Sequence, residues 1–179
     1  HQLAALSARE KDRGAVRPGM NRIREFLFTG CYAGYSPVGP GTAGSLVGMA
    51  IYFLEYLAFG EMSWVVNCAA AVILFYPFMK LADEGERFFG EKDPGQVVID
   101  EVLGYWVSVL FFPFNLKVAL AAFVVFRIMD ILKPWPVNRL QDLKGGMGIM
   151  IDDCVAGLYT ILVVLGGLLA LKLAGIDFY

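Results

Sequence analysis

Five apolar runs joined by short links constrain this chain more than any other feature. They cover residues 43–59, 63–81, 97–114, 118–132 and 149–175. A bilayer crossing needs about 20 apolar residues, within a range of about 17–25. In lipid every backbone N–H and C=O must be satisfied inside its own segment, so such runs are helical. The expectation is an all-α, polytopic membrane bundle of four to five spans. The fourth run is short and draws on its flanks. Residues 23–35 add a short helix, interfacial or re-entrant rather than spanning. The composition agrees: 58% hydrophobic and 18% charged, with mean hydropathy +0.59. Soluble domains run at about 45–50% and about 25%.

The 179 residues make one domain. Residues 1–19 are a polar leader unlike the rest, read as an added remnant or a disordered arm, and Met20 resembles a natural start. The working domain is then 20–179. His1, in that leader, is the sole histidine, so histidine nucleophiles, histidine bases and histidine-ligated zinc are excluded from the domain. Cys31, Cys68 and Cys154 sit in or beside apolar segments and read as buried hydrophobes. A net charge of −2, with no basic stripe among aromatics, argues against nucleic acid as a partner.

Basic residues orient the runs. Arg22, Arg24, Lys80, Arg87, Lys92, Arg127, Lys133, Arg139 and Lys144 fall on one side, and Lys117 and Lys172 on the other. This bias puts the N-terminus in the cytoplasm. Every polar cluster then lies on the cytoplasmic side, while the opposite links 60–62 and 115–117 are short and plain.

Those clusters hold five acids at helix ends: Asp100 and Glu101, Asp130, Asp152 and Asp153. Acids inside lipid-spanning helices are costly and usually functional. Carboxylates from separate helices, without histidine or thiolate, suit a hard cation, Mg²⁺ or Mn²⁺. Neighbouring acids on a helix point about 100° apart, so one of each pair ligates and the other orients water, binds a second ion or pairs with a cation. Helix capping is the competing account. It explains neither two adjacent pairs nor Asp130, near a helix C-terminus. The spacing Gly95-x4-Asp100-x3-Gly104 recurs as Gly148-x4-Asp153-x3-Gly157, and Gly39-x4-Gly44-x3-Gly48 has it without the acid. This aligns Asp100 with Asp153 as inward-facing acids. Gly44 and Gly48 also permit tight pairing between helices, within the chain or between copies.

Arg127 and Asp130 share a helix face and form either a local ion pair or a split site, with Asp130 on metal and Arg127 or Lys133 on phosphate. Trp135 reads as part of this exit or as an interfacial anchor. Gly41-Thr42-Ala43-Gly44-Ser45 offers N–H groups and hydroxyls at a helix start, as a phosphate cradle or a plain cap. Gly145-Gly146-Met147-Gly148 carries the same two readings. Asp93 is a turn former or a further polar group of the site. Asp83, Glu84, Glu86 and Arg87 read as a solvated face. Cys-x5-Arg and strand-opening Asp-x-Asp patterns are absent, which sets aside cysteine and haloacid-type phosphatases.

Four motifs occur in order: Gly41-Thr42-Ala43-Gly44-Ser45; Asp93-x-Gly95-x-x-Val98-x-Asp100-Glu101-x-x-Gly104; Phe126-Arg127-x-x-Asp130-x-x-Lys133-Pro134-Trp135-Pro136; and Gly145 through Asp153 followed by Ala156-Gly157. Together they resemble bacterial phosphatidylglycerophosphatase A. Ala43, where a common variant has Trp, and Pro94 depart from the pattern without changing an ionisable group. The resemblance implies a Mg²⁺-dependent phosphatase of the bacterial inner membrane, its site facing the cytoplasm. Its phospholipid substrate would be phosphatidylglycerophosphate, and its products phosphatidylglycerol and phosphate.

The expected ligands are Asp100, Glu101, Asp130 and Asp153, with Asp152 as alternative. Arg127 and Lys133 would hold phosphate, helped by Thr42, Ser45 and the Gly146 region. A remaining carboxylate is base or nucleophile. The alternatives are a phosphatase for another lipid or isoprenoid monophosphate, and a divalent-cation carrier. Oligomeric state, including a homo-oligomer, is open.

Overall fold

The computed structural model describes residues 21–135, 137–140 and 145–176. The leader 1–19, Met20, Pro136 and Lys144 lie outside them. Among the described residues every regular element is helical, with no strand. The elements are α1 (Arg22–Phe28), a 3-10 turn (Ala33–Tyr35), α2 (Pro40–Phe59), a second 3-10 turn (Gly60–Met62), α3 (Ser63–Phe89), α4 (Ile99–Ser108), α5 (Leu116–Leu132), α6 (Val137–Leu140) and α7 (Gly146–Leu173).

Local chemistry sets most boundaries. Asn21 caps α1 by accepting the Ile23 N–H at 3.0 Å. Pro40 opens α2, where its missing N–H costs nothing. Gly60, at φ 55° and ψ −130°, ends α2 in a conformation that a side chain would strain. Gly90 closes α3 in the left-handed region. Asn115 caps α5 through the N–H groups of Lys117 and Val118.

The third apolar run departs from its expected form. Only residues 99–108 of it are helical, about 15 Å at 1.5 Å per residue, half a bilayer core. Pro113 lacks an N–H and biases Phe112 away from helix, so the helix does not continue through 109–115. Nine of the ten residues of α4 are buried, which makes it the axis of the bundle rather than an outer span.

The other helices pack round α4. Gly44 lies on Val98 and Gly48 on Val102 and Tyr105, so α2 runs parallel to α4. The Trp106 indole donates to the Gly48 carbonyl at 3.1 Å. Gly44 and Gly48 are therefore used inside the chain, not in pairing between copies. Asn67 of α3 donates to the Trp106 carbonyl at 3.0 Å, while Gly85 near the other end of α3 faces Val97, so α3 runs antiparallel. Tyr105 donates to the Ala119 carbonyl of α5 at 3.1 Å, and Phe126 further along lies on Gly104. A Cβ on Gly157 of α7 would stand 2.7 Å from the Gly104 carbonyl oxygen, so these two backbones touch. The N-termini of α2, α4 and α7 and the C-termini of α3 and α5 consequently meet at one end.

Two stretches could cross a membrane by length and composition. They are Pro40–Phe89, which folds into the α2–α3 hairpin, and Gly146–Leu173, with mean hydropathies of 1.8 and 2.4. Only 17% and 33% of their most apolar windows are buried. Their large side chains point outward instead: Phe53, Leu54 and Leu57 on α2, Val72 and Ile73 on α3, Leu162 and Leu169 on α7. A soluble bundle hides such faces.

Candidate active site

The polar end of the bundle is assembled from four backbone devices. First, Asp93-Pro94-Gly95 turns the chain into α4, with the Val97 N–H donating to the Pro94 carbonyl at 2.8 Å and the Val98 N–H to the Phe28 carbonyl at 2.9 Å. Asp93 is left-handed at φ 49° and donates its N–H to Glu86 at 3.1 Å. This places Asp100 and Glu101 in the first turn of α4, where the helix dipole favours them.

Second, α7 begins at Gly146, so Asp152 and Asp153 stand about 9–10 Å along it. Dipole compensation fades within the first turn, so capping does not account for this pair. Both are 3% exposed. Third, Lys133 ends α5 in a left-handed conformation at φ 41°, just before Pro134. That turn swings its ammonium to Asp152, at 2.7 Å. Fourth, Gly41 in the first turn of α2 has no side chain where Glu101 and Arg127 pass; a Cβ there would collide with both.

Asp100, Glu101 and Asp153 come together with carboxylate oxygens all within 4.8 Å of one another. Asp100 Oδ1, Glu101 Oε2 and Asp153 Oδ2 are buried with no hydrogen-bond partner among the described residues. Buried acceptors left unpaired are costly, and like charges at this separation more so. A hard cation would satisfy all three at once.

Asp130 stands beside this trio, adjoining Glu101 and Asp153. It binds Arg127 at 2.9 Å, so the local ion pair forms and sits within the site. Arg127 also donates to Ser45 Oγ at 3.3 Å. Asp152 accepts the Asp153 N–H at 3.1 Å besides holding Lys133. Burial opposes the charge on Lys133, but Asp152, Asp153 and Asp130 outweigh it and raise its pKa above the usual lysine value. Five acids therefore face two cations, a formal excess of three negative charges.

The expected phosphate cradle takes a different form. Ser45 is fully buried and spends its hydroxyl on the Gly41 carbonyl, at 2.9 Å, and on Arg127. It positions a cation rather than facing a ligand. The Gly146 N–H is taken by the Asp83 carboxylate. Thr42 is half-buried in the first turn of α2. Trp135 is exposed, and its carbonyl accepts the Tyr159 hydroxyl at 2.9 Å.

The supposed solvated face of α3 is also a set of contacts. Asp83 holds Gly146, Glu84 pairs with Arg24, and Glu86 holds Asp93. Asp83 is the residue that sequence reasoning missed. No signal along the chain marked it, since the helix dipole fades within one turn and Asp83 stands six residues before the end of α3.

Residues 26–168 match the family described as Phosphatidylglycerophosphatase A. A protein of Escherichia coli K12 named "Phosphatidylglycerophosphatase A" is 36% identical over 155 residues, covering 85% of this chain and 87% of the relative. A Haemophilus influenzae protein of the same name is 33% identical over 140 residues, covering 77% and 84%. A Bacteroides thetaiotaomicron protein named "Putative phosphatidylinositol-3-phosphatase" is 41% identical over 144 residues, covering 76% and 87%. No solved structure matches the chain. The family match and these relatives make the chain a phosphatase. The chain belongs to the phosphatidylglycerophosphatase A family.

Proposed function

We propose that the chain hydrolyses the terminal phosphomonoester of phosphatidylglycerophosphate, giving phosphatidylglycerol and phosphate, with Mg²⁺ or Mn²⁺ as cofactor. The observation that carries this reading is the trio of orphaned buried carboxylates set beside Arg127 and Lys133 at one end of an apolar bundle. The donor set fits the ion, since it is oxygen only and close enough to share one cation. The relatives named phosphatidylglycerophosphatase A suggest the substrate.

Asp100, Glu101 and Asp153 hold the cation, and Asp130 adjoins them. When bound, the cation neutralises phosphate charge and activates a water for in-line attack. The Arg127 fork and the Lys133 ammonium clamp the phosphate oxygens. Ser45 and Asp130 fix the fork, and Asp152 fixes the ammonium, so both cations are oriented before substrate arrives. Asp130 takes the proton of the attacking water, and the glycerol oxygen, leaving as its bond to phosphorus breaks, takes a proton from interfacial water. Thr42, in the first turn of α2, presents a hydroxyl at the same end.

Lipid covers the outward apolar faces. In this arrangement α2, α3, α5 and α7 are the crossings and α4 a buried half-length helix. The basic residues of the site end face the cytoplasm of a bacterial inner membrane. A lipid headgroup then reaches the acids from the interface.

The Bacteroides relative favours a second reading, a phosphate on an inositol headgroup. Phosphate release from detergent-dispersed phosphatidylglycerophosphate, phosphatidylinositol 3-phosphate and an isoprenoid monophosphate separates the two. The expected order puts phosphatidylglycerophosphate first by about tenfold or more in kcat/KM, about 1.4 kcal/mol. Faster release from the inositol lipid would overturn the assignment. Lys133→Met should raise KM by about 10–100-fold, the scale of a lost charge-assisted hydrogen bond, and a KM unchanged by it would remove Lys133 from the phosphate clamp.

A further inference from the structure

We infer that Asp83, on α3, is a positioning residue for the α7 acids: it fixes the helix start from which Asp153 is aimed at Asp100 and Glu101. The inference rests on the cation reading above. Asp83 accepts the Gly146 N–H, the first of α7, so a carboxylate from a neighbouring helix serves as the cap. Among the described residues its other polar contact is Lys80 at 3.9 Å, whose side chain is 52% exposed, so that pair is weak. Gly145, at φ 66°, leaves Asp83 its room, and a Cβ there would strike the carboxylate. Gly146 lies against the Met79 carbonyl and the Asp83 N–H so closely that no side chain fits. On sequence these glycines read as a phosphate cradle or a plain cap. The structure gives them to α3.

The periodicity of α7 links this contact to the site. Gly146, Asp153 and Gly157 are seven and eleven residues apart from the first, which at 100° per residue puts all three within about 20° of one face. The first glycine is clamped to α3 at Asp83, and the last to the backbone of α4 at Gly104. Asp153 lies between the two clamps. Loosening the first lets the upper turns of α7 tilt about the second, and Asp153 moves relative to Asp100 and Glu101. Asp83 itself belongs to a different helix from every acid of the trio and is not among the converging carboxylates.

The test uses detergent-purified full-length chain and two readouts. The first is Mn²⁺ binding, followed by the electron paramagnetic resonance signal of the free ion. The second is phosphate release against Mg²⁺ concentration. Asp83→Ala should weaken Mn²⁺ binding and raise the half-saturating Mg²⁺ by about tenfold, the usual lower scale for losing a group that orients a ligand. The shift in half-saturating Mg²⁺ should exceed any fall in the rate at saturating Mg²⁺, and Asp83→Asn, which keeps an oxygen acceptor, should restore the affinity to within about twofold. Should Asp83→Ala not fold, Asp83→Leu, which has no acceptor, carries the same expectation. Wild-type Mn²⁺ affinity in the alanine or leucine variant would overturn the proposal, as would a fall in saturated rate with no shift in metal affinity. If wild-type protein itself takes up no Mn²⁺, the cation reading fails instead, and the two failures are distinguishable.

Discussion

Asp153→Asn should lower phosphate release by about a thousandfold or more while making the metal-free protein more stable. The rate follows from losing a ligand at the reacting centre, with about 4 kcal/mol corresponding to that factor. The stability follows from the same geometry with opposite sign. Three carboxylates share a space where the buried oxygens Asp100 Oδ1, Glu101 Oε2 and Asp153 Oδ2 have no hydrogen-bond partner among the described residues. An asparagine there removes one of the crowded like charges and brings an amide N–H that can donate to a neighbouring unpaired carboxylate oxygen, on the order of 1–3 kcal/mol. In a chain of this size that is about 2–4 °C per kcal/mol in Tm. Added Mg²⁺ should then raise the Tm of wild type and leave the variant unmoved, since only a ligand bound to the folded state stabilises it. An acid kept for structure alone would behave in reverse: its loss would lower the metal-free Tm.

Gly157→Ala should be nearly as damaging, although it adds one methyl and no charge. The new Cβ would stand 2.7 Å from the Gly104 carbonyl oxygen and 2.9 Å from a methyl of Val107. The nearer neighbour is backbone, so α7 must move away from α4. Overpacking of this kind costs about 1–3 kcal/mol. Activity should fall by about a hundredfold, because Asp153 lies one turn from the contact and a shift near 1 Å at a catalytic group has that effect. Gly166 and Gly167 lie further along the same helix, and a methyl added at either would meet nothing within 4 Å. Alanine at either should leave activity intact and stabilise by about 0.5–1 kcal/mol. Thermal unfolding and phosphate release on the three variants check the contrast. Equal behaviour at Gly157 and Gly166 would show that the α4–α7 contact does not hold the site.

Helix content and the gathering of polar clusters at one end were legible because both follow from patterns along the chain. Long apolar runs report helices, and the distribution of lysine and arginine reports which links share a side. The repeated Asp-x3-Gly spacing was informative too, since Gly104 and Gly157 prove to be the two sides of one helix crossing. What stayed hidden depends on contacts between distant segments. The third run looks like a span by hydropathy, but hydropathy does not separate an outer helix from a central one, and α4 is buried on all sides. Ser45 and Gly146 looked like phosphate ligands because hydroxyls and amides at helix starts bind anions. Whether Arg127 and Asp83 reach those groups first is a question of packing. Asp83 itself looked solvated because its partner lies 63 positions away.

The central claim is that Asp100, Glu101 and Asp153 form one cation-dependent site acting on a lipid phosphate. Phosphate release from phosphatidylglycerophosphate in detergent, measured with Mg²⁺, with a chelator and with Asp100→Asn, tests it most directly. The prediction is release that needs Mg²⁺, stops with the chelator and is lost in the variant. Full Mg²⁺-dependent release by Asp100→Asn would contradict it.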